Sequence, residues 1–185
     1  MKAIQVSQVG GPEVLNLVEL PIPEPKPDEA VVQIKAAGVN FIDVYYREGR
    51  YPAQLPFVPG QEAAGIVTAI GSEVTNVKVG ERVAYSGVLG ACAESVAVPA
   101  DRLVKIPDQL DFHQAAAAML QGMTAHYLSH STYPIKNGDT VLIHAAAGGV
   151  GALLVQMAKN LGARVIGTAG SEEKAQIARE AGGTK

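Results

Sequence analysis

The sequence predicts an α+β fold that turns into α/β: a small, partly open β-barrel, then the start of a doubly wound parallel sheet. Three observations predict it. About the first hundred residues are short β-rich runs punctuated by glycine, helix formers take over after Asp111, and strands alternate with helices from Thr140 onward. Many short strands between turns favour a barrel, and strand–helix alternation favours a parallel sheet. The boundary is expected between residues 110 and 125, with one domain over 1–123 and part of a second over 124–185.

The elements follow in order. Ala3–Val9 and Val14–Leu20 read as strands joined by the turn Gly10-Gly11-Pro12, and Ala30–Ala37 as a third. Between them Pro21, Pro23, Pro25 and Pro27 stand at every second position. Proline neither donates to a ladder nor continues a helix, so this stretch is an extended connector. Ala64–Ile70, Glu81–Ala84, Glu94–Pro99 and Leu103–Ile106 complete the β set, punctuated by Gly60, Gly65, Gly71, Gly80, Gly87 and Gly90. Asp111, with Gln114 three residues on, forms a capping box ahead of the helix-forming run HQAAAAMLQGMTAHYL. The turn Asn137-Gly138-Asp139 leads into a buried strand, Thr140–Ala146. A helix follows from about Val150 to Leu161, with Gly162 where a C-terminal cap belongs. Arg164–Thr168 is a second strand of this kind, and Ser171 caps a last helix through Ala181.

Composition narrows the function. Hydrophobic residues make up 48% of the 185 and charged residues 18%, enough apolar material for a core. The formal charge is −3 and no Lys/Arg run occurs, which disfavours nucleic acid as the main partner. The longest apolar stretch, Val141 to Ala158, is broken by His144, small residues and Gln156, and falls short of the roughly 20 clean residues of a membrane span. No apolar run follows Lys2, so no signal peptide is expected. Cys92 is the single cysteine, which leaves no internal disulfide and no thiolate zinc cluster. A cytoplasmic protein is the expectation.

The stretch Val141-Leu142-Ile143-His144-Ala145-Ala146-Ala147-Gly148-Gly149-Val150-Gly151 carries the most chemistry. A buried strand enters a glycine-rich turn that opens an apolar helix, with the spacing of a dinucleotide fingerprint. Ala146, Gly148 and Gly151 take its three positions. The second lets backbone approach a pyrophosphate and the third lets helix and strand pack closely. The N–H groups of Ala147, Gly148, Gly149, Val150 and Gly151, with the helix dipole, favour an anion. In NAD-binding chains a carboxylate about 20 residues later meets the ribose 2′-OH. Here that place holds Thr168, Ala169 and Gly170, followed by Ser171 and Lys174. A hydroxyl and an ammonium suit a 2′-phosphate, so NADPH is the expected cofactor.

The segments MKAIQVSQVGGPEVL, AAGVNFIDVYYREGRYP, PGQEAAGIV, VGERVAY, AAAMLQGMTAHYL, HAAAGGVG and GTAGSEEKAQIARE, in this order, resemble the medium-chain dehydrogenase/reductase superfamily. The resemblance is to its zinc-independent quinone oxidoreductase (zeta-crystallin-like) branch. It implies a GroES-like barrel domain followed by a Rossmann domain, the latter truncated here, and a homodimer for the full-length protein. A complete doubly wound sheet has about six strands. The expectation is that on the order of 100 residues or more of it are missing.

Where the alcohol dehydrogenase branch has its catalytic zinc ligands, this sequence matches with Asn40, Gln61 and Gln121. Amides are poor zinc ligands beside thiolate and imidazole, so no metal is expected. Without a Lewis acid the acceptor must already be electron-poor, a quinone or an activated alkene such as an enone. The resemblance implies that Asn40, Asp43, Tyr45 and Tyr51 line the acceptor cleft, with Gln61 beside them. It places Asn40 and Thr124 at the nicotinamide end of the cofactor as well. Read without it, Asn40 is a turn cap, Asp43 an N-cap of the short segment after it, and Tyr46 packing. His113, His126, His130 and His144 lack any ligand-like grouping. Two other functions compete: an alkenal or enoyl double-bond reductase, and a non-catalytic nucleotide- or RNA-binding protein.

Overall fold

The computed structural model describes residues 1–183, which divide into two compact units, one over Met1–Leu120 and one from Gln121 onward. In the first, β1 (Lys2–Val6) and β2 (Leu15–Glu19) pair antiparallel, with Lys2 opposite Glu19 and Val6 opposite Leu15. β3 (Glu29–Gly38), β4 (Glu62–Ile70), β5 (Arg82–Ser86), β6 (Ser95–Pro99) and β7 (Val104–Lys105) form an open antiparallel sheet in the order β6-β3-β4-β5-β7. Isolated bridges Ala3–Ala93 and Val6–Phe57 bring the β1–β2 hairpin against it. Register shifts between Val31 and Val32 and between Ile34 and Ala36 bend the long β3, as bulges do, so the sheet curls without closing. Each expected strand of this unit is present, with ends displaced by a few residues.

Alternation places Val32, Val67, Val83, Tyr85, Val96 and Val98 in one core inside the curl. The opposite face of β4 and β5 is not solvated. Ala64 and Ala84, directly paired, pack with Ile106 beneath Ala115 and Ala116 of the helix α2 (Phe112–Tyr127). The expected capping box starts that helix: Gln114 N–H donates to Asp111 Oδ1 at 2.8 Å, and Asp111 N–H to Gln114 Oε1 at 3.1 Å. A wider π-type turn over Leu128–Thr132 extends it, with Ser129 Oγ–H donating to the Ala125 carbonyl at 2.7 Å.

One helix has no counterpart in the sequence reading: α1, Phe41–Arg47. Its residues FIDVYYR include β-branched and aromatic types of modest helix propensity, so local preference hides it. Capping and packing supply what propensity lacks.

The second unit holds β8 (Thr140–Ile143) and β9 (Arg164–Gly167), which pair in parallel, with α3 (Gly149–Asn160) and α4 (Glu172–Glu180). Ile143, Ala146, Val155, Ala158, Val165 and Ala178 form its core. Gly162 sits at φ 83°, the left-handed cap expected there. β8 ends at Ile143, earlier than the expected Ala146, because Ala145 turns the chain at φ 50°. Among the described residues no helix is long and apolar enough to cross a membrane.

Replacing Asp111 with alanine removes one half of the α2 capping box and is expected to cost about 1 kcal/mol of stability. Urea unfolding measures it, and an unchanged midpoint would show that the cap is idle.

Candidate active site

In the first unit the candidate residues gather around α1 and the head of β4. Asn40, buried, is the N-cap of α1. Asp43 stands three residues in, so it is not a helix cap itself. Its Oδ2 reaches back to accept the Asn40 N–H at 2.9 Å, one half of a capping box. The Asn40 side chain turns toward β4, where Nδ2 donates to Glu62 Oε2 at 2.7 Å. Gln61, also buried, precedes β4, and its Nε2 makes no hydrogen bond among the described residues.

Burial pushes the Asp43 carboxyl up, while the backbone N–H groups of Asn40 and Gly60 pull it back down. Its Oδ1 is buried without a partner of normal geometry, so the upward effect prevails. Nearby Cys92 is shifted the same way, chiefly by burial and secondarily by the Asp43 charge. Tyr85 is raised above its ordinary range by burial and by Cys92, and its hydroxyl lacks a partner. Gly60 permits this crowding: at φ 90°, a Cβ there would strike Ala91 Cβ and Cys92 Sγ.

Aromatic rings form the other side of α1. Tyr45 meets Tyr51 edge-on at 5.5 Å and Phe41 at 5.4 Å, with the Arg50 guanidinium over the Tyr45 ring. The Tyr45 carbonyl accepts from both Arg50 and Tyr51 N–H, which fixes Tyr51 beside it. Tyr51 remains 45% exposed. Tyr46 packs with the core around Val6 and Phe57, the packing role expected of it.

The second unit contains the glycine turn. Ala145, a left-handed non-glycine residue, is held from several directions. Its N–H donates to Thr168 Oγ1 at 3.2 Å, its carbonyl accepts Gly148 N–H at 2.8 Å, and the Thr168 carbonyl takes the next N–H, from Ala146, at 2.9 Å. A Cβ on Gly151 would collide with the Ala145 carbonyl and the Ala146 Cα, which is why helix and strand approach so closely there. Gly148 is the N-cap of α3 and supplies no side-chain cap, so the helix start, with Ala147, Gly149 and Val150 around it, keeps its anion-binding character. Gln121 seats its amide where a Gly149 side chain would be, and Thr124 follows one turn later on α2.

Beyond β9, Ser171 caps α4, its Oγ accepting the Lys174 N–H at 3.3 Å. That use leaves the hydroxyl proton available, and both side chains are exposed. Thr168 and Glu62 are the structural members that the sequence reading passed over. Thr168 was visible only as a non-acid at the ribose position, and Glu62 as the last letter of Gly60-Gln61-Glu62. Among the described residues no group of three or more His, Cys, Asp or Glu is placed to hold a metal ion.

Residues 26–108 match the family described as the alcohol dehydrogenase GroES-like domain, and residues 149–185 match the zinc-binding dehydrogenase family. This pair of domains defines a medium-chain dehydrogenase/reductase. Within that superfamily the chain belongs to the quinone oxidoreductase branch. It is 52% identical over 183 residues to a quinone oxidoreductase of Pseudomonas aeruginosa, covering 98% of this chain and 56% of that protein. A 2-haloacrylate reductase of a Burkholderia species is 44% identical over 187 residues, with 97% and 56% covered. The structure of an Escherichia coli quinone oxidoreductase complexed with NADPH superposes with a TM-score of 0.96 at 46% identity, covering 99% of this chain and 57% of that one. The chain thus spans just over half the length of these relatives.

Two outcomes follow from the buried groups. Asp43 has a folded pKa above its unfolded value, so its contribution to stability is full below about pH 4 and is lost as pH rises through the raised value. Asp43→Asn cannot ionise, and it is expected to raise the thermal midpoint at pH 7 and to flatten the decline above pH about 4. A lower midpoint at pH 7 would mean that the charged hydrogen bond to Asn40 outweighs burial. Cys92, raised in the same sense, is expected to alkylate slowly at neutral pH and to speed up only above pH about 9. Fast modification at pH 7 would contradict this.

Proposed function

We propose that this chain provides the acceptor domain and the beginning of the cofactor domain of an NADPH-dependent oxidoreductase that reduces quinones or other activated alkenes without zinc. The observation that carries the reading is the glycine turn. The left-handed Ala145, the side-chain-free N-cap Gly148 and the backbone-tight Gly151 make a helix start that a pyrophosphate can approach. The E. coli relative crystallised with NADPH supports it.

On this reading the α3 N-terminus, from Ala147 through Gly151, meets the pyrophosphate, while Ser171 and Lys174 meet the 2′-phosphate. Thr168, Ala169 and Gly170 offer no carboxylate to repel that phosphate, and a Cβ at Gly170 would face open space. A bound reduced nicotinamide supplies the hydride. Thr124 and Asn40 serve its reactive end. Asn40, Asp43, Tyr45, Tyr51 and Gln61 form the acceptor site, in which the exposed Tyr51 hydroxyl hydrogen-bonds an acceptor oxygen and shares its developing charge. Amides from Asn40 and Gln61 orient the acceptor by hydrogen bonding and offer zinc little. No side chain is assigned as an essential acid or base.

A second reading has its own support: the 2-haloacrylate reductase relative favours an activated alkene over a quinone as acceptor. An RNA-binding role gains nothing from a net charge of −3. The same reading makes the whole protein a cytoplasmic homodimer, which light scattering of the purified protein checks.

Titration by nicotinamide fluorescence tests the cofactor. Saturable binding is expected for NADPH, at least about tenfold tighter than for NADH, which corresponds to about 1.4 kcal/mol. Equal affinities would remove the role given to Ser171 and Lys174, and Lys174→Ala is expected to narrow the preference. Gly148→Val places a Cβ 3.1 Å from the Ala145 carbonyl and fills the space at the helix start, and it is expected to abolish NADPH binding. Survival of binding would show that the turn has been misread.

A further inference from the structure

Glu62 is 1% exposed, one of the most deeply buried side chains of the protein, and no Lys, Arg or His pairs with it among the described residues. Taking a carboxylate out of water without a counter-charge is costly unless its oxygens are hydrogen-bonded. Here each oxygen has one donor. Oε2 accepts from Asn40 Nδ2 at 2.7 Å, and Oε1 accepts the Leu120 backbone N–H at 2.7 Å. Both lengths lie at the short end of the range for N–H donors to oxygen. The niche depends on Gly38, where a Cβ would strike the Glu62 carboxylate.

Each bond fixes something different. A carboxylate only accepts, so it dictates which way the Asn40 amide is turned: the nitrogen faces Glu62, and Oδ1 is directed to other partners. The second bond ends on the backbone in the interior of α2, where an N–H ordinarily serves the carbonyl four residues back. The residue after Leu120 is Gln121, whose amide covers Gly149 at the head of α3. A neutral side chain of the same size could fill this volume; only an acceptor with two lone-pair-bearing oxygens can hold both donors.

We propose that Glu62 is a positioning residue that locks the Asn40 side-chain amide in one orientation and anchors it to the α2 backbone at Leu120. Its catalytic consequence rests on the reading of Asn40 as part of the acceptor site. Glutamine at 62 keeps the shape but turns an NH2 toward one of the two donors; the Leu120 N–H cannot reverse, so the Asn40 amide must turn over or lose its partner.

The test is a double-mutant cycle on the purified protein, with NADPH and a benzoquinone as substrates. Glu62→Gln is expected to lower kcat about tenfold, the loss of one hydrogen bond to a charged group. The quinone KM and the NADPH Kd should stay within about twofold, a split that general destabilisation would not produce. In an Asn40→Ala background the same change is expected to add less than about twofold, because Glu62 acts through Asn40. Turnover losses that multiply, or a Glu62→Gln enzyme with wild-type kcat, would overturn the assignment. A second cycle needs no turnover. Asn40→Asp and Glu62→Gln should each lower the thermal midpoint, and the double variant, which exchanges donor and acceptor, should recover most of the loss. Absence of recovery would refute the anchoring contact. Should Asn40→Ala turn over quinone normally, the acceptor-site reading fails and the catalytic role of Glu62 fails with it, while the thermal cycle still decides the contact.

Discussion

Strand β4 is buried on both faces and paired on both edges, and the first unit is arranged around that constraint. Ala63 and Val67 face the core inside the curl, while Ala64 faces α2. Small residues are required where two layers close on one strand. At Gly65 a Cβ would strike the Gln33 carbonyl of β3, so this position admits no side chain without opening the central β3–β4 pair. The same burial governs the chemistry at the strand's head. Gln61 and Glu62 enter the interior because the chain there is already committed to β4, and their polar groups must then find partners or go without. Glu62 finds two; the Gln61 amide nitrogen finds none among the described residues. α1 inherits its position from this arrangement through the Asn40–Glu62 bond.

The second unit solves a different problem, that of turning a parallel strand into a helix within a few residues with an N-cap that carries no side chain. Ala145 takes the strained conformation, and Thr168, at the end of the neighbouring strand, stabilises it with its hydroxyl and its carbonyl. The strain sits at the residue before the glycines, so the glycines themselves are spent on approach distance. Gly151 lets α3 lie against Ala145 and Ala146, and Gly167 does the same for the Ala146 methyl from the other strand. Thus the strand pairing, not the glycine pattern alone, sets the turn's geometry.

This explains what the sequence could and could not disclose. The β runs, the Asp111–Gln114 box, the Gly162 cap and the strand–turn–helix around Gly148 are local signals, each written in a few adjacent residues, and each is present in the structure. α1 was hidden because Ile42, Val44, Tyr45 and Tyr46 favour strands locally, and the helix depends on contacts to residues distant in sequence. The end of β8 is hidden for the same reason: nothing within Ala145–Ala146–Ala147 signals a left-handed residue, since the groups that enforce it belong to Thr168, 23 positions away. Among the candidate site residues, Gly148 and Ser171 stand at helix starts that adjacent residues signal. Glu62 was not, because its partners lie 22 and 58 positions along the chain.

The electrostatics of the first unit fit the proposed chemistry. Burial pushes Asp43, Cys92 and Tyr85 toward their neutral forms, and backbone N–H groups are the hydrogen-bond partners of Asp43. Such surroundings disfavour the formation of an isolated anion such as an alkoxide, the step for which alcohol dehydrogenation needs a metal. They suit an acceptor that arrives neutral and electron-poor, whose developing negative charge is met by fixed hydrogen-bond donors in a low-dielectric setting. Glu62 lies at the same depth, with both oxygens occupied by short hydrogen bonds. Those bonds tie it to the Asn40 amide and to the α2 backbone. On the proposed reading Glu62 acts through Asn40 and α2, and the groups left to meet an acceptor are neutral dipoles.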